Sequence, residues 1–281
     1  MTPPPTPPAP PPAPPPSDQP ADPPAGRWRP PLLWRLSQGL ARALLAPVCR
    51  LRVTGDLAPR LRAGPLILAA NHISPADPAV LAAATRAIGV APRIMATGGL
   101  FRAPVVGTLM RACGHLRVDR RTDTVARALD DAGDALAERS IVLVYPEGRI
   151  GLDPGLWPER GKTGAARLAL ASGAPVVAVA QWGAHELLPY SAPKGALGGL
   201  WRSLRRRPVV RVHFGGEVDL SGLEPGVPGH AQRATDRIID ALTEELRALR
   251  VDEPRLPRHI DPIRPLSVAR RHRRTEKAKP R

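Results

Sequence analysis

The sequence is poor in several residue types, and each shortage excludes a class of protein. Only two cysteines, Cys49 and Cys113, occur in 281 residues, too few for a disulfide framework. Both have apolar neighbours, so we expect buried free thiols, as suits a reducing compartment. No apolar run approaches the roughly 18 residues of a membrane-spanning helix. The N-terminus also lacks the apolar core of a signal peptide.

Acidic and aromatic residues are also few. The net charge of +16 indicates a polyanionic partner, for which nucleic acid and an anionic membrane are the two candidates. Two tyrosines and two phenylalanines leave little for stacking on bases, and no nucleic-acid-binding motif occurs. Composition therefore favours a lipid surface over a specific nucleic acid.

Proline is abundant at the N-terminus, with 14 prolines in the first 25 residues. We predict that residues 1–26 form a disordered or polyproline II tail, because they cannot bury enough apolar surface to offset the entropy of ordering. A spacer is the favoured interpretation, and recruitment of an SH3-like partner is the alternative. The basic, proline-broken stretch 251–281 is predicted as a second disordered tail, which leaves 54–250 as a single domain.

Between the first tail and the domain, residues 27–53 form an amphipathic segment. Leu33, Leu36, Leu40 and Leu44 recur every three or four positions, which predicts a helix, and Val48 and Leu51 continue this stripe. Arginines interrupt the segment and tryptophans stand at its start, as in helices that lie in a bilayer interface. A surface helix packed on the domain is the equal alternative.

Strand-like and helix-like stretches alternate along the domain. The predicted strands are 65–71, 92–97, 115–120, 140–146, 174–183 and 208–218, and the predicted helices are 78–89, 101–114 (broken at Pro104), 122–138, 162–173 and 229–250. This alternation predicts an α/β fold with a largely parallel central sheet flanked by helices. Polar clusters at 71–77, 119–120 and 146–149 would then meet at the carboxyl edge of the sheet.

The first cluster contains His72 and Asp77. Five positions apart, the two side chains would not share a face of a straight helix, and Pro75 and Pro78 forbid a regular helix here. They can meet only through a turn at Ser74–Pro75. Asp77 would then fix the imidazole tautomer and leave the other ring nitrogen free as a general base. The structural alternative is that Asp77 caps the next helix, with Pro78 at its first position.

The other two clusters supply cations. Arg149 follows Glu147 at one strand end, and three arginines lie at another. The three are Arg117, Arg120 and Arg121. Guanidinium groups from two strand ends could hold a phosphate. The alternative is surface ion pairing of these arginines with Asp119 and Glu147.

Several sharper motifs are rejected. The stretch "GLWPERGKTG" has Leu156 where a P-loop needs its first glycine. We nevertheless expect Lys162 and Thr163 to open a helix whose N-terminus faces an anion. The histidines lack metal-ligand spacing, so we expect no metal. No nucleophile-elbow serine and no dinucleotide-binding glycine pattern occurs.

Taken in order, these clusters resemble the glycerophospholipid acyltransferase family. "NHISPAD" matches the family's Asn-His-x4-Asp block, "GHLRVDR" and "YPEGRI" are similar to its second and third blocks, and "GAPVVAVA" is similar to the fourth. The resemblance covers roughly residues 45–220. Arg149 stands where the family usually has threonine and Ile150 where it has arginine, which bears on acceptor identity.

The resemblance implies transfer of a fatty acyl group from acyl-CoA, or acyl carrier protein, to a lysophospholipid hydroxyl, with no further cofactor. It implies His72 as base and Asp77 as its partner. The residues implied to bind the acceptor phosphate are Arg120, Glu147, Gly148 and Arg149. It also implies peripheral attachment to an anionic membrane, at the cytoplasmic face. A non-catalytic lipid- or nucleic-acid-binding protein is the alternative from a different class.

Overall fold

The computed structural model describes residues 28–119, 122–192 and 194–270. The strands are β1 (Arg50–Gly55), β2 (Leu66–Ala70), β3 (Arg93–Thr97), β4 (Leu116–Val118), β5 (Ile141–Val144), β6 (Val176–Trp182) and β7 (Val209–Glu217). The helices are α1 (Leu32–Val48), α2 (Pro59–Arg62), α3 (Asp77–Ala87), α4 (Gly98–Arg102), α5 (Pro104–Ala112), α6 (Thr122–Ala137), α7 (Gly164–Ser172), α8 (Ala196–Arg206) and α9 (His230–Leu249).

The strands form one sheet in the order β1-β7-β6-β2-β5-β3-β4, in which β6 and β7 are antiparallel and every other pair is parallel. The α/β prediction is confirmed. The central strands β2 and β6 are buried along their whole length, as expected for parallel strands covered on both faces. Their carboxyl ends lie beside that of β5, so the loops after these three strands meet.

The segment 27–53 is shorter as a helix than predicted, because α1 ends at Val48 and β1 begins at Arg50. Leu51 fits the helical stripe of α1 and also the two-residue alternation of an edge strand, and pairing with β7 decides the outcome. The domain therefore begins before residue 54. Trp34 and Leu45 on α1 are buried, whereas Leu36 and Leu40 are about 60% exposed. Helix α1 thus packs on the domain through one face and exposes apolar side chains on the other.

Residues 251–270 depart from the predicted disordered tail. They contain no helix or strand, but Pro257 is buried and Arg264 is only 8% exposed. Although its composition is basic and proline-rich, this segment satisfies its polar groups against loops of the domain rather than in regular structure. Residues 1–27 and 271–281 lie outside the described residues. These ranges include the whole predicted N-terminal tail and the end of the predicted C-terminal tail. Both cysteines are buried and free, as predicted.

Candidate active site

His72 and Asp77 meet at the end of the central strand β2. Imidazole Nδ1 lies 2.7 Å from Asp77 Oδ2. The backbone turns at Ser74–Pro75, as the prolines predicted, and the N–H groups of Ile73 and Ser74 donate to the same carboxylate oxygen at 2.6 and 2.9 Å. Asp77 is fully buried, whereas the His72 side chain is 16% exposed. The carboxylate therefore orients the ring from behind, and the ring edge reaches solvent.

The predicted capping role of Asp77 takes a different form. Asp77 is the first residue of α3, with Pro78 second, and the N-cap position is Ala76. The carboxylate accepts hydrogen bonds from the loop before the helix rather than from the helix's own first turn. The side chain consequently ties the turn to the imidazole.

Tyr145, directly after β5, stacks on the His72 ring. The ring centroids are 4.1 Å apart and the planes are 19° from parallel. The hydroxyl is buried and has no hydrogen-bond partner among the described residues. Burial, assisted by the nearby Asp77 charge, raises the pKa of Tyr145 well above its ordinary value. The ring therefore acts as a neutral platform that limits rotation of the imidazole.

Glu147 lies beneath the His72 loop. The side chain is 1% exposed, and its two oxygens accept the backbone N–H groups of His72 at 3.1 Å and Glu159 at 3.0 Å. Burial raises the pKa of Glu147 to about 8, although these two donors oppose the shift. Sequence reasoning assigned Glu147 to the acceptor phosphate, but the structure uses both oxygens to brace the loops from inside.

The turn that carries Glu147 depends on Gly148. The N–H of Gly148 donates to Tyr145 O at 2.9 Å, and its φ of +67° suits glycine. A Cβ here would lie 3.0 Å from Lys162 Cδ. Beyond the turn, Gly151 N donates to His72 O at 2.8 Å, so the loops after β2 and β5 are joined at a second point.

The arginines of the site are engaged with carboxylates. Arg149 donates from Nη2 to Glu159 at 2.9 Å, and its side chain is 32% exposed while Glu159 is 1% exposed. Arg117 lies 2.6 Å from Asp119. The ion-pairing alternative therefore holds for Arg117 with Asp119, whereas Arg149 pairs with the buried Glu159 instead of Glu147. Arg120 and Arg121 lie outside the described residues. Sequence reasoning missed Glu159, since nothing in "WPERG" signals a partner ten residues earlier.

Lys162 and Thr163 lie next to the Glu147 turn. Lys162 N donates to Pro146 O at 2.8 Å, and its side chain covers Gly148. Thr163 is the N-cap residue of α7, and its side chain makes no capping hydrogen bond. The predicted helix start is thus confirmed and lies beside the loop after β5.

The remaining buried histidines do not join the site. His115 accepts a hydrogen bond from Ile94 N at 3.2 Å, and burial lowers its pKa to about 4. His185 packs on Trp182, and burial lowers its pKa to about 3. Within the three described ranges, no group of three histidine, cysteine or acidic side chains could hold a metal ion.

Asn71, beside His72, fixes the end of β2 to the neighbouring strand. Its amide accepts from Gln181 N at 2.8 Å and donates to Gln181 O at 3.0 Å, and Gln181 Nε2 returns a bond to Asn71 O at 2.7 Å. The sequence showed Asn71 within the motif, but only the strand order reveals its partner. His72 therefore stands on a backbone that is held on both sides.

The geometry is that of a partly exposed imidazole oriented by a buried carboxylate. Comparison with known proteins defines the class: residues 50–182 match the model of the acyltransferase family. This match supports placing the domain in the glycerophospholipid acyltransferase family, with acyltransferase activity.

One solved structure shows the same fold. The crystal structure of the 1-acyl-sn-glycerophosphate (LPA) acyltransferase PlsC from Thermotoga maritima is similar over 78% of this chain and 80% of that chain. The TM-score is 0.56 and the sequence identity 17%. No curated protein matches the sequence.

Proposed function

We propose that this acyltransferase moves a fatty acyl group from acyl-CoA, or acyl carrier protein, to the sn-2 hydroxyl of 1-acylglycerol 3-phosphate, giving phosphatidate for phospholipid synthesis. The observation that carries the proposal is the hydrogen bond from His72 Nδ1 to the buried Asp77, made while the imidazole stays partly exposed. With Nδ1 donating to Asp77, Nε2 is left as the proton acceptor.

Each step uses a group with the required chemistry. Nε2 of His72 removes the proton of the acceptor hydroxyl as its oxygen attacks the thioester carbonyl. Asp77 stabilises the imidazolium that forms. When the tetrahedral intermediate collapses, the carbon–sulfur bond breaks and the imidazolium proton goes to the leaving thiolate. No covalent acyl-enzyme and no further cofactor is needed.

We assign the acceptor phosphate to two arginines. We assign Arg120 as one contact, and Arg149 as another because its side chain is one-third exposed beside the loop that carries Glu147. Gly148 allows the backbone to turn there, and Lys162 beside it adds a positive charge, with Thr163 at the helix start. Glu147 supports this surface from below rather than touching the phosphate.

The direct test is release of free CoA thiol from acyl-CoA in the presence of lysophosphatidate. We expect the wild-type protein to release thiol and a folded His72→Ala variant to lose at least ~100-fold in rate. His213→Ala is the matched control, because His213 also pairs with a carboxylate, Glu245, but is contributed by β7. Equal activity of wild type and His72→Ala would refute the assignment of the base.

The acceptor is tested by the same assay. Glycerol 3-phosphate, other lysolipids and a glycolipid acceptor are compared with lysophosphatidate at one acyl-CoA concentration. The proposal expects the highest kcat/KM with lysophosphatidate. A higher value with an acceptor that lacks phosphate would assign the same chemistry to another product.

We also propose that the protein attaches peripherally to an anionic membrane at its cytoplasmic face. On α1, Leu36 is 60% and Leu44 63% exposed. Helix α8 packs beside α1, where Arg207 donates to Ala46 O at 2.8 Å, and exposes Trp201 at 61%. Apolar side chains flanked by arginines suit a helix lying on anionic lipid. In the described parts of the chain, no helix is long and apolar enough to span a bilayer.

Flotation with anionic vesicles tests the attachment. Deleting α1 would expose the core residues it covers, so we choose Leu36→Asp with Leu40→Asp, both on the exposed face. Ile263→Asp, at a side chain that is 56% exposed elsewhere, is the control. We expect only the α1 variant to lose most of its vesicle binding, and equal binding by all three proteins would refute the contact.

A further inference from the structure

Residues 251–270, which we name the C-terminal strap, run along the loop after β5. Ser267 N donates to Leu152 O at 2.8 Å, and Arg160 N donates to Arg270 O at 2.8 Å. Arg270 returns a hydrogen bond from Nη2 to Arg160 O at 2.8 Å. The strap therefore pairs with the loop at two points that are eight residues apart in the loop.

Arg264 links the strap to both loops of the site. Its Nη2 donates to Ile73 O and to Gly151 O, each at 2.8 Å. Ile73 directly follows His72, and Gly151 itself donates to His72 O. One guanidinium nitrogen thus joins the backbone of the loop after β2 to that of the loop after β5, from a position 191 residues along the chain from Ile73.

The strap is also anchored at two points before Arg264. At its start, the Arg250 guanidinium lies between the rings of Trp157 and Trp182, 4.1 and 4.0 Å from their centroids. Three residues before Arg264, Asp261 accepts a hydrogen bond from Tyr190 N at 2.6 Å. These contacts fix the chain near Arg264. The hydrogen bonds of its buried guanidinium therefore cost little further conformational entropy.

The charge of Arg264 suits the same position. Burial lowers its pKa, and the Asp77 carboxylate is the foremost of the charges that oppose this effect. An unpaired buried charge is costly, and the Asp77 carboxylate stabilises the charged form of the guanidinium. Asp77 must stay charged to stabilise the imidazolium.

We infer that Arg264 is a positioning residue for acyl transfer: it clamps the loops after β2 and β5 together and so holds His72 and Asp77 in their working arrangement. The inference rests on the proposed role of His72. Arg264 lies outside residues 50–182, the range that matches the family model, so the family pattern assigns it no role.

The test compares three variants of the full chain. Arg264→Met keeps length but removes the donors, Arg264→Lys keeps a charged donor, and Arg258→Ala removes an exposed arginine of the strap as the control. A misplacement of about 1 Å costs on the order of 100-fold in rate. We therefore expect Arg264→Met to lower kcat roughly 10- to 100-fold with the KM for acyl-CoA nearly unchanged, and Arg264→Lys to recover part of it. Arg258→Ala should match the wild type.

Amide hydrogen exchange gives a readout that does not need activity. We expect faster exchange in residues 72–77 and 147–155 of both Arg264 variants, and not in Arg258→Ala. Unchanged exchange, or equal kcat in Arg264→Met and Arg258→Ala, overturns the inference. If Arg264→Met does not fold, Arg264→Lys decides by the same two measurements. An active His72→Ala variant would refute the proposed base, whereas the exchange data would still decide whether Arg264 clamps the loops.

Discussion

Replacing Asp77 with asparagine removes one negative charge from the site and leaves its shape. All three hydrogen bonds to the carboxylate end on Oδ2, from His72 Nδ1, Ile73 N and Ser74 N. Two of these donors are backbone N–H groups, so an amide NH2 turned toward them would meet donor against donor. The asparagine oxygen must therefore take the Oδ2 position, and the imidazole keeps its hydrogen on Nδ1. The variant isolates the charge.

The magnitude follows from Coulomb's law. An imidazolium and a carboxylate about 4 Å apart interact by about 4 kcal/mol at an effective dielectric constant near 20. Losing this stabilisation in the transition state corresponds to about 1000-fold in kcat. Asp77 is fully buried and does not touch substrate, so KM should change little. The free energy of unfolding should change less than the activation free energy, because the loss from three weakened hydrogen bonds is offset by removal of a buried charge.

Thiol release by wild type and Asp77→Asn measures kcat and KM directly. Asp153→Asn is a matched control, because Asp153 is 3% exposed and one of its oxygens likewise accepts two backbone N–H groups, from Gly155 and Trp157. We expect the control to keep kcat within about fivefold, since both of these hydrogen bonds stay within residues 153–157. A loss below about tenfold in Asp77→Asn, or an equal loss in both variants, would refute the electrostatic role.

Three other buried side chains give further expectations. The pKa of Glu147 is about 8 in the folded protein, against 4.5 ordinarily. The free energy of unfolding should therefore fall as the pH rises between these values, by up to about 1.4 kcal/mol per pH unit. In urea unfolding, Glu147→Gln should remove this fall. The pKa of His185 is about 3 against 6.5, so stability should fall as pH drops below 6.5, and His185→Phe should flatten that limb; an unchanged pH dependence in either variant contradicts its assignment. Tyr145→Phe keeps the stacked ring and should keep kcat within about threefold, whereas Tyr145→Ala should lose about tenfold; an inactive Tyr145→Phe would assign chemistry to the hydroxyl.

The sequence predicted the architecture because the alternation of apolar strands with amphipathic helices is a local property. It failed at Leu51, where one residue satisfies both a helical stripe and a strand alternation, and only pairing with β7 decides between them. It failed again at 251–270, because a segment without regular structure can be fixed by single buried side chains. Arg250 between two tryptophan rings and Arg264 beneath the site do this, and composition does not register such contacts.

The site divides in the same way. The meeting of His72 with Asp77 was predictable, because two prolines limit the backbone between them to a turn. The roles of Glu147 and Glu159 were not predictable. In the sequence, a glutamate that accepts backbone N–H groups cannot be told from one that pairs with an arginine. Both are 1% exposed, so only their partners distinguish them: Glu147 accepts two backbone N–H groups with its two oxygens, and Glu159 pairs with Arg149.

In the strand order, the proposed base lies at the centre of the sheet and an arginine near the proposed acceptor contacts lies at its edge. β2 is the central strand of the sheet, and Asn71 at its end is bonded to Gln181 on β6 while Glu147, after β5, holds His72. The proposed base therefore stands where the backbone is most constrained. The arginine at β4, Arg117, belongs to an edge strand and is 48% exposed. A residue on an edge strand can be replaced at little cost to the sheet. We therefore expect substitutions near β4 to change the preferred acceptor and to leave the geometry of the proposed base intact.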